Sequence, residues 1–219
     1  MSVSAFGISE EATQLGVKFD VAIINGITLK RKHEGLERLK DNAEEFVRNI
    51  DIETNEILIG YRELFKKVGS PKVVSSPEYL VHLIQTKGKL PQINTVVDAY
   101  NMISAQSLVV ASAHDLSKLS GNVMLRISTG ENFLAIGETH DEIVPEGEWL
   151  VADDKHILCR LNIKQSELSK VTNTTTGLLI YSQGNEITTS EYLHKTLIEI
   201  CETITRFNGG TYSFIPRIS

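Results

Sequence analysis

The chain has 219 residues, with 22 Lys plus Arg against 28 Asp plus Glu for a formal net charge of −6, and 41% of it is apolar. That apolar share excludes a disordered chain, which could not offset its conformational entropy, and no apolar run approaches the ~18 residues of a membrane span. No basic-then-apolar leader opens the sequence and only Cys159 and Cys201 are present, too few for a disulfide framework or a four-cysteine zinc site, so the expectation is a reduced, cytoplasmic protein.

In chain order, Ser9 to Gly16 predicts a short helix, capped by Ser9 and stopped by Gly16. Val17 to Ile27 alternates and then turns fully apolar, as a strand entering a core does. Residues 33–49 predict an amphipathic helix, with Leu36, Leu39, Ala43, Phe46, Val47 and Ile50 at three- and four-residue spacing. A second helix fits 53–68 and ends at Gly69-Ser70-Pro71. A third opens at Ser76-Pro77, with Ser76 as the expected cap, and ends by Gly88. A fourth starts at Asn94 or Thr95 and runs through Gln106.

The texture then changes to short strand-like runs at 108–113, 122–127, 149–152, 157–161 and 178–181, separated by Gly, Asn, Asp or Thr. Glu191 to Phe207 closes as an amphipathic helix stopped by Asn208-Gly209-Gly210. One strand, several helices, many strands and a last helix make an α+β pattern on antiparallel or mixed sheets, not a βαβ alternation. No repeat or long linker interrupts it, so one domain over 1–219 is expected.

Charge is uneven. Residues 1–110 carry 13 basic and 14 acidic side chains and residues 111–219 carry 9 and 14, while 60–90 holds Arg62, Lys66, Lys67, Lys72, Lys87 and Lys89 against Glu63 and Glu78. Such a local basic stretch is either a solvated helix face or a surface for phosphates. The motif search is otherwise negative. No histidine pair sits at i, i+4, neither cysteine has a neighbour two residues away, and no GxGxxG, GxxxxGK[ST] or GxSxG occurs. His140-Asp141-Glu142 reads as a solvated turn, and no metal or cofactor is expected.

Two stretches place polar groups in apolar surroundings. Asn94, Asp98 and Asn101 fall at i, i+4 and i+7, one stripe on a helix. They are either a ligand-binding set of amides and a carboxylate, or an N-cap with two exposed side chains. The second stretch, Ser112-Ala113-His114-Asp115, ends an apolar strand. His114 beside Asp115 invites a dyad, but neighbours on a strand point to opposite faces, and Asp115 suits the closing of a turn.

The ordered set of Gly60-Tyr61-Arg62, Leu90-Pro91, Ile93-Asn94-Thr95-Val96-Val97-Asp98-Ala99-Tyr100-Asn101, Asp115 to Gly121, Ala152-Asp153-Asp154, Ile157 to Arg160 and Ser169 to Thr175 resembles the editing module of the phenylalanyl-tRNA synthetase beta chain. That module comprises the beta chain's third and fourth domains, and the set resembles more closely the stand-alone bacterial proteins built from it. The resemblance spans about 60–184, leaving 1–59 and 185–219 as flanking elements packed on it. It implies a three-layer α+β fold with a pocket between two halves that deacylates wrongly charged tRNA.

On the family pattern Asn94 and Glu167 stand at pocket positions. The family's editing histidine falls on Ser112, a departure that bears on amino-acid specificity. The expected partners are misacylated tRNA and, in the pocket, its amino acid. Glu167 is the expected catalytic group, holding the substrate ammonium or orienting water. Asn94, Asp98, Asn101, Ser112, His114 and Asp115 are the expected substrate-binding residues. Arg62, Lys66, Lys67, Lys87 and Lys89 are the expected RNA-facing cations. A non-catalytic module of the same fold, binding tRNA or an amino-acid-like ligand, is the alternative.

Overall fold

The computed structural model describes residues 3–161 and 163–218. β1 (Phe6–Ile8) leads to α1 (Glu10–Gln14), where the Ser9 hydroxyl accepts the Ala12 N–H, and then to β2 (Lys18–Asn25). Four helices follow: α2 (Glu34–Val47), α3 (Glu56–Lys67), α4 (Ser76–Lys87) and α5 (Thr95–Ser107). The strand-rich part comprises β3 (Val110–Asp115), β4 (Val123–Ile127), β5 (Asn132–Phe133), β6 (Glu142–Ile143), β7 (Trp149–Ala152), β8 (Ile157–Arg160), β9 (Lys164–Gln165) and β10 (Gly177–Gly184). α6 (Ser190–Asn208), β11 (Thr211–Phe214) and β12 (Arg217–Ile218) complete it.

The strands form a four-stranded antiparallel sheet, β11-β2-β10-β3, a six-stranded mixed sheet, β12-β1-β4-β7-β8-β9, and a β5-β6 pair. β1 runs parallel to both of its neighbours. The apolar run in β2 is explained by burial on two faces. Ala22 and Ile24 join Leu178 and Ile180 of β10 against α2, α4, α5 and α6, while Phe19, Val21 and Ile23 join Leu179 and Tyr181 against the six-stranded sheet. The result is three layers: helices, four-stranded sheet, six-stranded sheet. This is the expected α+β class.

α3 sits at the margin, with Leu58 in the first core and Tyr61, Leu64 and Phe65 in the second. Its Tyr61 hydroxyl donates to the Gln183 carbonyl at 2.8 Å and accepts the Val110 N–H at 3.3 Å. α5 turns into β3 through Leu108 and Val109 alone. Leu108 adopts φ 59°, unusual for a branched residue, and is fixed by its buried side chain and its N–H bond to the Ser104 carbonyl.

Two expectations need correction. The cap of α4 is Ser75 rather than Ser76, its hydroxyl accepting the Glu78 N–H, and this puts Pro77 one position further in. β1, β5, β6, β9, β11 and β12 were not predicted. Each has two to four residues, too few for periodicity to show.

Candidate functional site

β3 is an edge strand of the four-stranded sheet, and the segment 165–170 runs beside it. The Asp115 N–H donates to the Ser169 carbonyl at 2.9 Å. Along this seam the face of β3 toward the six-stranded sheet begins with the apolar Val110 and continues with two polar residues, Ser112 and His114. Ser112 Oγ donates to Gln165 Oε1 at 2.6 Å, and Gln165 Nε2 reaches Cys159 Sγ at 3.3 Å. His114 bridges Ser169 Oγ on Nδ1 (2.9 Å) and Ser112 Oγ on Nε2 (3.4 Å).

Donor logic orients this chain. Ser112 gives its proton to Gln165, so it accepts from His114 Nε2–H, and His114 Nδ1 accepts from Ser169. His114 and Tyr181 stack with ring centroids 5.8 Å apart. The Tyr181 hydroxyl lies among Ser112, Gln165 and Cys159 but makes no hydrogen bond of normal geometry, and burial raises its pKa well above the ordinary phenol value. Burial also pushes His114 down to about 3, so the ring is neutral. In this arrangement His114 cannot act as a base on Ser112, because the shared proton already belongs to the ring.

Asp115 turns to the other face. Its carboxylate accepts from the Ser117 N–H (3.0 Å), the Ser117 hydroxyl (2.7 Å) and the Thr175 hydroxyl (2.7 Å). Burial raises its pKa, but these bonds and Lys118 outweigh that and the net shift is downward. Adjacent His114 and Asp115 do not touch, as strand alternation predicts.

Glu167 follows Gln165 on the same segment. Its Oε1 accepts from Lys170, its Oε2 accepts the Gly137 N–H at 3.2 Å, and these two bonds lower its pKa. It is an ionised carboxylate with a cation beside it.

On the helical side, Asn94 caps α5 by accepting the N–H groups of Val96 (3.1 Å) and Val97 (3.0 Å). Asp98 is not exposed. It is 2% accessible and accepts the Ile93 N–H at 2.9 Å, with Lys40 of α2 at 3.4 Å. Burial raises its pKa against the pull of Ile93 and Lys40. Asn101 is half-buried and its side chain makes no hydrogen bond to a described residue. Among the described residues, none of these three bonds to Glu167. Asn94 caps α5 and Asp98 and Asn101 lie on it, while Glu167 lies on the segment beside β3.

The basic residues are partly committed within the protein. Arg62 pairs with Glu78 (2.8 Å) and Glu53 (3.3 Å) and donates to the Ile52 carbonyl. Lys66 pairs with Glu63 and Lys67 with Glu186. Lys87 is exposed at the end of α4, and Lys89 is exposed just beyond it.

Gln165, Ser169, Lys170 and Tyr181 were given no role from sequence. Gln165 and Ser169 lie 53 and 55 residues from their β3 partners, so only the strand's position reveals them. No helix among the described residues is long and apolar enough to cross a membrane.

Residues 60–199 match the family described as "B3/4 domain". The chain is 25% identical over 131 residues to the phenylalanine–tRNA ligase beta subunit of Fusobacterium nucleatum, a match over 60% of this chain and 16% of that protein. It is 29% identical over 133 residues to the same subunit of Colwellia psychrerythraea, over 61% and 16% respectively. The chain thus matches about a sixth of the length of these relatives. In fold it is similar to an N-terminal fragment of the phenylalanyl-tRNA synthetase beta subunit from Pyrococcus horikoshii, with TM-score 0.58 and 13% identity over 98% of this chain and 51% of that one.

Proposed function

The chain belongs to the B3/4 domain family, and from that premise we propose that it interacts with tRNA and deacylates misacylated aminoacyl-tRNA in trans. The observation that carries this reading is the placing of Glu167, ionised and paired with Lys170, on the segment that lies along the polar edge of β3. The ester of aminoacyl-tRNA is already activated, so the site needs only to orient it and a water and to stabilise an oxyanion. Glu167 orients the water or holds the substrate ammonium, and Lys170 offers a charge to the developing oxyanion. Asn101, with an uncommitted amide, is the residue of its stripe best free to meet substrate. Ser112 is not the nucleophile, because its proton is donated to Gln165.

Single-turnover deacylation of a panel of mischarged tRNAs tests this. Glu167→Gln should slow hydrolysis on the order of 100-fold while the fold persists. Equal rates for wild type and variant would remove Glu167 from the mechanism. A second reading, a module that binds charged tRNA without hydrolysing it, is favoured by the neutral, fully buried His114 and the locked Ser112. Binding of charged tRNA with hydrolysis no faster than the spontaneous rate would establish that reading instead.

A further inference from the structure

The edge of the four-stranded sheet opposite β3 is incomplete. β11 pairs with β2 only from Asn25 to Ala22, where Phe214 is the last partner. The chain then leaves through Ile215 and Pro216 to add β12 beside β1 in the other sheet. Lys18 to Val21 is therefore paired on one side only, and a cleft of about 460 Å³ opens there between the two sheets and the start of α6. Its volume is in the range of small-molecule sites.

The walls divide by chemistry. Phe6, Phe19, Leu193 and Ile215 give an apolar part, while Lys18, Asp20, His194 and Arg217 give a polar part. The one carboxylate is occupied within the protein. Asp20 Oδ1 accepts the Val21 N–H at 2.9 Å and Oδ2 meets His194 Nδ1 at 2.6 Å. This orients the imidazole, which also packs on Phe214 at 4.6 Å between centroids, and leaves Nε2 without a described partner. Neither cation forms an ion pair with a described carboxylate. Lys18 is held in place by the carbonyls of Glu186 and Thr188, and Arg217 forms no ion pair with a described residue. On a chain of net charge −6, this cleft sets two cations, Lys18 and Arg217, against one described lining acid, Asp20, whose oxygens are already bonded within the protein.

We infer that this cleft is a binding site for a small organic carboxylate bearing an apolar body, distinct from the seam at β3. The carboxylate meets Arg217 and Lys18, and the body lies on Phe19 and Ile215. A bare inorganic anion would leave the apolar wall wet, and a neutral apolar molecule would leave Arg217 unmatched. The proposal does not depend on tRNA deacylation, since its readout is direct binding.

Isothermal titration of the full chain near neutral pH with 3-phenylpropionate, 3-phenylpropanamide and inorganic phosphate tests it. Shifts in ¹⁵N-labelled amides locate the site. The acid should bind with changes confined to β2, β12 and the start of α6, and the amide about tenfold more weakly. Arg217→Gln, an exposed position, should weaken the acid at least about fivefold and leave the amide unchanged. No binding of the acid, equal binding of acid and amide, shifts elsewhere in the molecule, or an unaltered Arg217→Gln would each overturn the proposal. Phosphate binding as tightly as the acid would overturn its apolar half.

Discussion

His114 is the residue whose environment most constrains the protein's chemistry. It is fully buried between Ser112 and Ser169, and burial lowers its pKa from 6.5 to about 3. The native state therefore binds fewer protons than the unfolded chain between those values, and acid favours unfolding there. Stability should be level above about pH 6.5 and fall below it by up to about 1.4 kcal/mol per pH unit. Urea unfolding at a series of pH values measures the slope. His114→Asn should start less stable and lose this dependence above the range where carboxylates titrate. An unchanged slope in the variant would assign the acid sensitivity to another group. Glu131 adds a separate loss at lower pH. Burial raises its pKa, but Ser128, the Thr129 N–H and Arg126 outweigh that and hold it at about 2, so its contribution is present above the ordinary value of 4.5 and disappears as pH falls towards 2.

At the scale of elements, the two ends of the helical layer show how local chemistry sets tertiary position. Asn94 caps α5 by accepting the N–H groups of Val96 and Val97, so Asn94→Ala should cost about 1 kcal/mol in urea unfolding while Asn94→Asp keeps most of the stability. This pair also separates capping from catalysis. A deacylation rate that drops in the well-folded Asn94→Asp would place the Asn94 amide against substrate, and a rate that follows stability would leave it a cap. At the other end, α6 passes into β11 through Gly209 and Gly210, at φ 73° and 87°. A Cβ on Gly210 would lie 2.4 Å from the Asn25 carbonyl oxygen, a backbone atom that cannot swing aside. Gly210→Ala should therefore destabilise by about 1–3 kcal/mol and expose the β2 edge, seen as faster hydrogen exchange within Ala22 to Asn25, the residues that β11 covers.

At the scale of the whole molecule, the net charge opposes polyanion binding, and the 60–90 region offers local compensation. Within it Arg62 is held by Glu78, Glu53 and Ile52, whereas Lys66 and Lys67 are about half exposed in single surface pairs worth little. Lys66→Glu with Lys67→Glu should weaken tRNA binding and flatten its salt dependence, with stability unchanged. Unchanged affinity and slope would make this a solvated face and shift attention to Lys87, Lys89 and Lys170.

The elements with long periodic signals were legible from residues alone. α2, α3, α5 and α6 lie within a few residues of the predicted spans, because an amphipathic stripe and a cap are local properties. The α+β class followed from their order, and the separation of His114 from Asp115 from strand alternation. The seam at β3 was not legible. Gln165 and Ser169 have partners 53 and 55 residues away, and no local pattern encodes which strand a two-residue β9 will lie beside. Asp98 shows the same limit. Its helical position is set by sequence, but its ion pair with Lys40, 58 residues away, exists only because α2 packs on α5. The sequence by itself determined the helices and the longer strands and which residues can carry charge, but not the short strands that depend on a partner. The tertiary structure decided which polar groups are neutralised inside and which stay available, because desolvation and partner distance depend on the packing of layers and not on neighbours in the chain.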